Sequence, residues 1–407
     1  MIDSKENLWY TFIQQNMHLF SEDAKFYAKK FNITESKILR TNHELDIIES
    51  DIDDYEWLWI DGWSSEAHWH IVNDLTDKPF VPMHINANSK LYFYNETEGY
   101  CTDYLFDMIH WIIDKHNLKA NNVVYRNLAM NNYEMYDLYC ERKNITEKIR
   151  FNTCLFFNNS QVRCYEKPVY YGKIVPFKQK KLYLNLNWNA WQHRLLAIAV
   201  FHYYDVIDDA YISSPCANKF VYDKEKDWAM IRNRVSQYIE ENPSDENTLI
   251  LNKFATLESK YPLIIDDRSK YANTDVAFVD TMNKIPVFTA RQNSLFEVVS
   301  ETHTYGPCVF HEKTFWPIME VKPFFQINST NSLKFLRKLG YKTFSPYIDE
   351  SYDDEPDLME RIKKVAIELA RLNKMRVDNP IEFNSMYTKL TEIAEYNHKL
   401  FYDTKYI

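Results

Sequence analysis

Glycine is scarce in this chain: 407 residues include five. None falls in a G-x-G-x-x-G or G-x-x-x-x-G-K pattern, so the dinucleotide and P-loop fingerprints are excluded. The six cysteines (Cys101, Cys140, Cys154, Cys164, Cys216 and Cys308) form no C-x-x-C pair. That argues against a disulfide framework and for thiols in a reducing cytoplasm. A surplus of positive charge is also missing. The net charge is −10, which speaks against a protein that coats nucleic acid. The opening MIDSKENLWY has neither the basic nor the apolar region of a secretory signal. No long uncharged apolar run is present, so no membrane span is expected.

Aromatic residues are abundant at 16%, within a hydrophobic share of 45%, so substantial cores can form. The length suits two domains of ordinary size. Hydrophobic periodicity predicts helices over 4–30, 104–116 and 133–140, with strands over 57–60, 79–85, 91–94 and 123–125. The apolar side of the 104–116 helix is Leu105, Met108, Ile109, Ile112 and Ile113. Further on, strands are expected over 181–186, 277–279, 295–299 and 323–327. Helices are expected over 191–204, 223–242, 247–260, 314–320, 331–339, 356–373 and 380–402. Strands alternating with helices predict an α/β fold with mainly parallel sheets. The crossover between domains is placed near Lys178, and no internal repeat is visible.

The densest chemistry lies over 296–354. Glu301, Glu312 and Lys313 surround a Gly306-Pro307 turn, between an expected strand and an expected helix. In open α/β sheets ligands bind at such strand ends. A helix N-terminus there favours an anion such as phosphate. A second strand–loop–helix junction carries Trp188, Trp191, His193 and Arg194.

The pattern SETHTY…FHEKTFWPI…KPFFQI…LKFLRKLGYKTF…IDESYD resembles phage- and virus-encoded glycosyltransferase-like proteins. It is also similar, more distantly, to the donor half of fucosyltransferase- and exostosin-type enzymes. There a Thr-Glu-Lys-like triplet precedes a helix; here it reads His311-Glu312-Lys313. The segment KKLYLNLNWNAWQHRLLAIAVFHYYDVIDDAYIS resembles the opening of the second half of these proteins. His193 and Arg194 match its His-Arg pair, while Asn187 or Trp188 stands where the usual loop has a basic residue.

The resemblance implies an α/β fold of two Rossmann-like domains facing a cleft, the GT-B-type arrangement. Residues 1–177 would form the acceptor side and 178–350 the nucleotide-sugar side. Residues 351–407 would be C-terminal helices packing back across the domains. The implied activity is transfer of a hexosyl or pentosyl group from a nucleotide sugar to an acceptor hydroxyl. The acceptor is either a hydroxymethylated base in phage DNA or a glycan, and the setting is the host cytoplasm. Lysines from Lys167 to Lys181 are available to DNA phosphates.

Arg194 and Lys313 are the candidates for the diphosphate, with His193 beside them. Glu312 suits donor hydroxyls because a carboxylate accepts two hydrogen bonds at once. As a helix-start glutamate it is equally explained by the helix dipole. Trp188 is expected to stack on the donor. Asp61, at a strand end, and Glu301 are the candidate catalytic carboxylates. His303 and His311 flank the loop, where a histidine is commonly incidental. No cofactor or divalent metal is expected. Asp51 and Asp53 form a D-x-D of the kind that holds a metal in another transferase architecture, and His68, His70 and His84 lack a closing ligand pattern. The alternative is a non-catalytic nucleotide- or carbohydrate-binding viral protein on the same scaffold.

Overall fold

The structure is a computed structural model. It describes residues 56–59, 87–88, 90–95, 103–153, 176–187, 190–214, 224–261, 263, 265 and 290–403. The chain divides into two compact units. The first takes in Met1–Ser160, Gly306–Val309 and Lys405–Ile407; the second takes in Gln161–Tyr305 and Phe310–Thr404. The division therefore falls near Ser160, and the helices expected as a separate closing element belong to the second unit.

In the first unit four parallel strands run in the order β1 (Glu56–Trp59), β2 (Leu91–Asn95), β3 (Val123–Asn127) and β4 (Arg150–Thr153). Pairs such as Phe93 with Tyr125 and Tyr125 with Phe151 set the register. Helix α1 (Asp103–His116) buries Leu105, Ile109, Ile112 and Ile113 on one stripe. Helix α2 (Asn132–Lys143) adds Tyr136 and Tyr139, which pack around Phe106 with ring centroids 5.0 and 5.2 Å away. Its C-terminus closes on Asn144 in the left-handed region, with Arg142 and Lys143 in the last turn, where a cation suits the dipole. Val309 completes this core. Its neighbours are tied in by Asn131, whose amide donates to Gly306 O at 2.9 Å and accepts from Cys308 N at 2.8 Å. Gly306 has φ of +71°, which favours glycine there.

The second unit has four parallel strands in the order β6-β5-β7-β8, namely β5 (Lys181–Leu186), β6 (Ala210–Ser213), β7 (Ser294–Ser300) and β8 (Phe324–Ile327). Every residue of β7 is buried, polar ones included, as expected of a central parallel strand covered on both faces. Helix α3 (Gln192–Tyr203) links β5 to β6. Helices α4 (Lys224–Glu241) and α5 (Asp245–Ala255) lie between β6 and β7 in sequence. Helix α6 (Glu312–Met319) links β7 to β8, and α7 (Ser332–Lys338) follows. The long helices α8 (Leu358–Asp378) and α9 (Pro380–Asp403) close the unit; α8 packs on α3 and α9 on α6. Asp357 caps α8 by accepting from Glu360 N at 2.9 Å, and Pro380 opens α9 where its missing N–H costs nothing.

From β5 the chain steps to β6 on one side, then returns to place β7 on the other. The switch point between β5 and β7 is where an open α/β sheet leaves a crevice at its carboxyl edge. Among the described residues no helix is long and apolar enough to cross a membrane. The expected helix over 4–30 and strands over 79–85 and 277–279 lie outside the described residues.

Candidate functional site

The switch point carries most of the chemistry. Past the end of β7, Glu301 N donates to Ile327 O at 3.0 Å, so the residue stays in register with β8. Its side chain is fully buried. Oε1 accepts from His311 N at 3.1 Å and from Thr314 Oγ1 at 2.5 Å. Oε2 lies 3.0 Å from His311 Nδ1 and 3.8 Å from Lys313 Nζ. Thr314 Oγ1 accepts in turn from Gln326 Nε2 of β8 at 2.7 Å. Burial alone would raise the Glu301 pKa. The Lys313 charge and the His311 and Thr314 contacts outweigh it and hold the carboxylate down at about 2.

Glu301, expected as a catalytic carboxylate, has its side chain enclosed at the start of α6. Both oxygens are engaged inside the protein, where they anchor the first turn of α6. The sequence pointed to Glu301 through the resemblance, which places an acidic residue there, but a matched position carries no information on burial.

Glu312 and Lys313 open α6, and Lys313 Nζ donates to Glu312 Oε1 at 3.1 Å. Their side chains are 15% and 23% exposed, so this pair is half-buried yet reachable. The His311 side chain leaves the helix start uncapped, since it turns to Glu301. Three other helices of the unit receive side-chain caps, from Ser244 on α5, Asp357 on α8 and Asp353 on the start of α7, while α3, like α6, has none.

From β5, Asn185 Nδ2 donates to Val298 O at 2.7 Å and to Ser300 Oγ at 3.2 Å, locking β5 to β7. Asn187 Nδ2 donates to Asn185 Oδ1 at 2.7 Å, and Asn187 N donates to Ser213 Oγ of β6 at 3.0 Å. Asn187, where the resemblance would put a basic residue, thus joins the strand ends. His193 and Arg194 sit in the first turn of α3 and are buried. His193 Nε2 is 2.8 Å from Glu301 O. A carbonyl only accepts, so Nε2 carries the proton. Burial, then the Arg194 charge, lowers the His193 pKa to about 3 and keeps the ring neutral at physiological pH. Arg194 Nη2 donates to Ser300 O and Glu301 O at 3.4 and 3.5 Å. Burial lowers its pKa to about 10, opposed by Glu301 and Glu312, so the guanidinium remains charged.

The structure therefore brings together Glu301, His193, Arg194, Glu312 and Lys313. Trp191 stands at the α3 N-cap and is 49% exposed, which leaves an aromatic surface at the same edge. Asp61, Trp188, Asp51, Asp53, His68, His70, His84 and Lys167 lie outside the described residues. His311, read from sequence as incidental, makes two contacts to Glu301, and Thr314 and Gln326 extend that network. Only their position at a strand–helix junction hinted at this.

The second unit is thus a parallel α/β fold with two cations, Arg194 and Lys313, and two carboxylates, Glu301 and Glu312, gathered at its topological switch point. No family model matches the chain, and no curated protein or solved structure shows significant similarity to it.

Proposed function

We propose that the second unit binds the diphosphate of a nucleotide sugar and that the protein is a glycosyltransferase of the two-domain, GT-B-like type. The observation that supports this reading best is the Glu312-Lys313 pair. It is half-buried and reachable, stands at an uncapped helix start beside the switch point, and is braced from beneath by Glu301. Lys313 supplies a point charge, and the α6 and α3 N-termini supply oriented N–H groups. Arg194, held under the strand ends, adds fixed positive potential where negative charge grows on the leaving diphosphate. Glu312 offers a carboxylate to ribose or sugar hydroxyls, and Trp191 a stacking surface.

In such a transfer the bond from the anomeric carbon to the diphosphate oxygen breaks, and its electron pair leaves with the diphosphate. A bond forms between that carbon and the acceptor oxygen. The acceptor proton passes to a base or to the departing phosphate. Acceptor contacts belong in this reading to the first unit, with modified DNA or a glycan as the acceptor.

A thermal-shift series with nucleoside diphosphates and nucleotide sugars, with and without EDTA, tests the proposal. A ligand bound only by the native state raises the melting temperature. The expected result is a chelator-insensitive shift with one nucleotide, lost in Lys313→Ala. No shift with any nucleotide at millimolar concentration moves the reading to a non-catalytic binding protein.

A further inference from the structure

Arg361, in the first turn of α8, is the largest fully buried side chain of the described residues. Its Nε donates to Glu355 O at 2.9 Å. Nη1 donates to Thr304 O at 3.1 Å and also to Asn328 O. Nη2 donates to Thr330 Oγ1 and Glu355 O, both at 2.8 Å, and more weakly to Pro356 O at 3.4 Å. One planar group thus engages three separate segments. Thr304 lies in the loop after β7, Asn328 and Thr330 in the loop after β8, and Glu355 and Pro356 just before α8.

Two of these segments build the candidate site. Thr304 is three residues past Glu301, on the stretch that leads to His311, Glu312 and Lys313. The Asn328 loop continues β8, whose Ile327 carbonyl holds Glu301 N. Among the described residues no carboxylate is in direct contact with Arg361; its hydrogen bonds go to carbonyl oxygens and the Thr330 hydroxyl, with the Asp353, Glu355 and Asp357 charges nearby. A buried guanidinium costs desolvation, so a site that keeps one spends it on geometry or on potential. Lysine cannot replace it: an ammonium has three donors and no planar fork, whereas this site uses donors on all three guanidinium nitrogens.

We propose that Arg361 is a positioning residue of the switch-point site: it fixes the loop from Glu301 to His311 against the β8 loop and adds positive potential beneath the ends of β7 and β8. The proposal rests on the anion-binding reading above for its ligand, but not for its geometry. The ligand class it favours is a polyanion with several oxygens, and inorganic pyrophosphate is the simplest probe.

The test uses the full chain with Arg361→Lys and Arg361→Met. Thr330→Val, which deletes a single acceptor, serves as a milder variant should Arg361→Met not fold. Hydrogen exchange of amides over 301–311 is read without ligand, and pyrophosphate affinity is read by calorimetry at several salt concentrations. Arg361→Lys is expected to speed exchange in 301–311 more than elsewhere in the unit. Affinity for pyrophosphate should fall by about tenfold or more, as small misplacements of binding groups do, and in Arg361→Met, which also removes the charge, its salt dependence should become shallower. Thr330→Val should shift both in the same direction by less. Unchanged exchange over 301–311 in Arg361→Lys overturns the proposal whatever the affinity does. Faster exchange over 301–311 with no pyrophosphate binding by the wild-type protein keeps the geometric role and overturns the diphosphate reading instead.

Discussion

Glu297 lies within β7 and Glu301 just past its end; both carboxyl groups are buried, against opposite ends of helix α6. Glu301 meets the helix start and receives the His311 N–H, the Thr314 hydroxyl and the nearby Lys313 charge. Glu297 lies at the other end, where Glu320 follows the last turn. There an acid faces the negative pole of the helix and another acid. The second unit answers with Arg291, 3.2 Å from Glu297 and 3.6 Å from Glu320, and with Lys322, which donates to Arg291 O, Ser294 O and Ser294 Oγ. Glu297 Oε2 and both Glu320 oxygens have no hydrogen-bond donor among the described residues. Burial raises the Glu297 pKa and lowers that of Lys322 to about 8, although each has opposite charges nearby. Glu301, equally buried, is held at about 2. The number and direction of donors, not depth, decides whether a buried carboxylate is comfortable.

The largest expected contrast is between Glu301→Gln and Glu297→Gln. Removing the Glu301 charge leaves the Lys313 ammonium and the His311 and Thr314 donors poorly matched. The expected loss is about 3–5 kcal/mol, the range for breaking a buried charged network. Glu297→Gln should cost less, because burial already opposes its charge and Oε2 receives no donor among the described residues. Denaturant unfolding of both variants checks this, and equal costs would break the comparison.

The pH dependence of stability sharpens the contrast next. Glu301 has its folded pKa depressed, so its contribution is complete above pH 4.5 and lost as pH falls toward 2. His193 is kept neutral when folded, so stability is also lost as pH falls from 6.5 toward 3. Lys322 behaves in the opposite window. Its folded pKa lies below the free value of 10.5, so the unfolded chain binds more protons between pH 8 and 10.5 and stability rises there. Shifts of this size correspond to about 3 kcal/mol for Glu301 and Lys322 and about 5 kcal/mol for His193. Lys322→Met should flatten the alkaline rise, and His193→Gln should remove the onset of acid loss near pH 6. An alkaline rise that survives in Lys322→Met would assign it elsewhere. The smallest expected effect is that of Thr314→Val. One hydrogen bond to Glu301 and the acceptor for Gln326 are lost, for about 1–2 kcal/mol, read as a modest fall in melting temperature.

Much of this arrangement was legible in the sequence, for physical reasons. Strand β5 is legible to its observed bounds because Lys181–Leu186 alternates apolar and polar residues. Helix α1 declared itself through an unbroken apolar stripe. Helix α6 begins two residues earlier than expected, since Glu312 and Lys313 look like loop residues until Glu301 is seen to engage the helix start. Strand β6 was missed: Ala210–Ser213 is four residues long and follows carboxylates that read as a turn. At the site, His193, Arg194, Glu301, Glu312 and Lys313 come together because a parallel sheet collects strand–helix junctions along one edge. Arg361 left no such signal. It stands 57 residues beyond Thr304 on a helix whose pattern explains it as an ordinary charged position, and only tertiary packing brings it to the strand ends.

The excursion of Gly306–Val309 into the first unit has a consequence for inheritance and for protein engineering. A fragment ending at Ser160 lacks Val309 from its core, along with the Gly306 carbonyl and Cys308 amide that Asn131 engages. A fragment from Gln161 onward keeps those four residues without the core that covers them. No single crossover in the gene separates the halves cleanly. Shuffling one half between related chains requires several exchanges, one of them only four codons long.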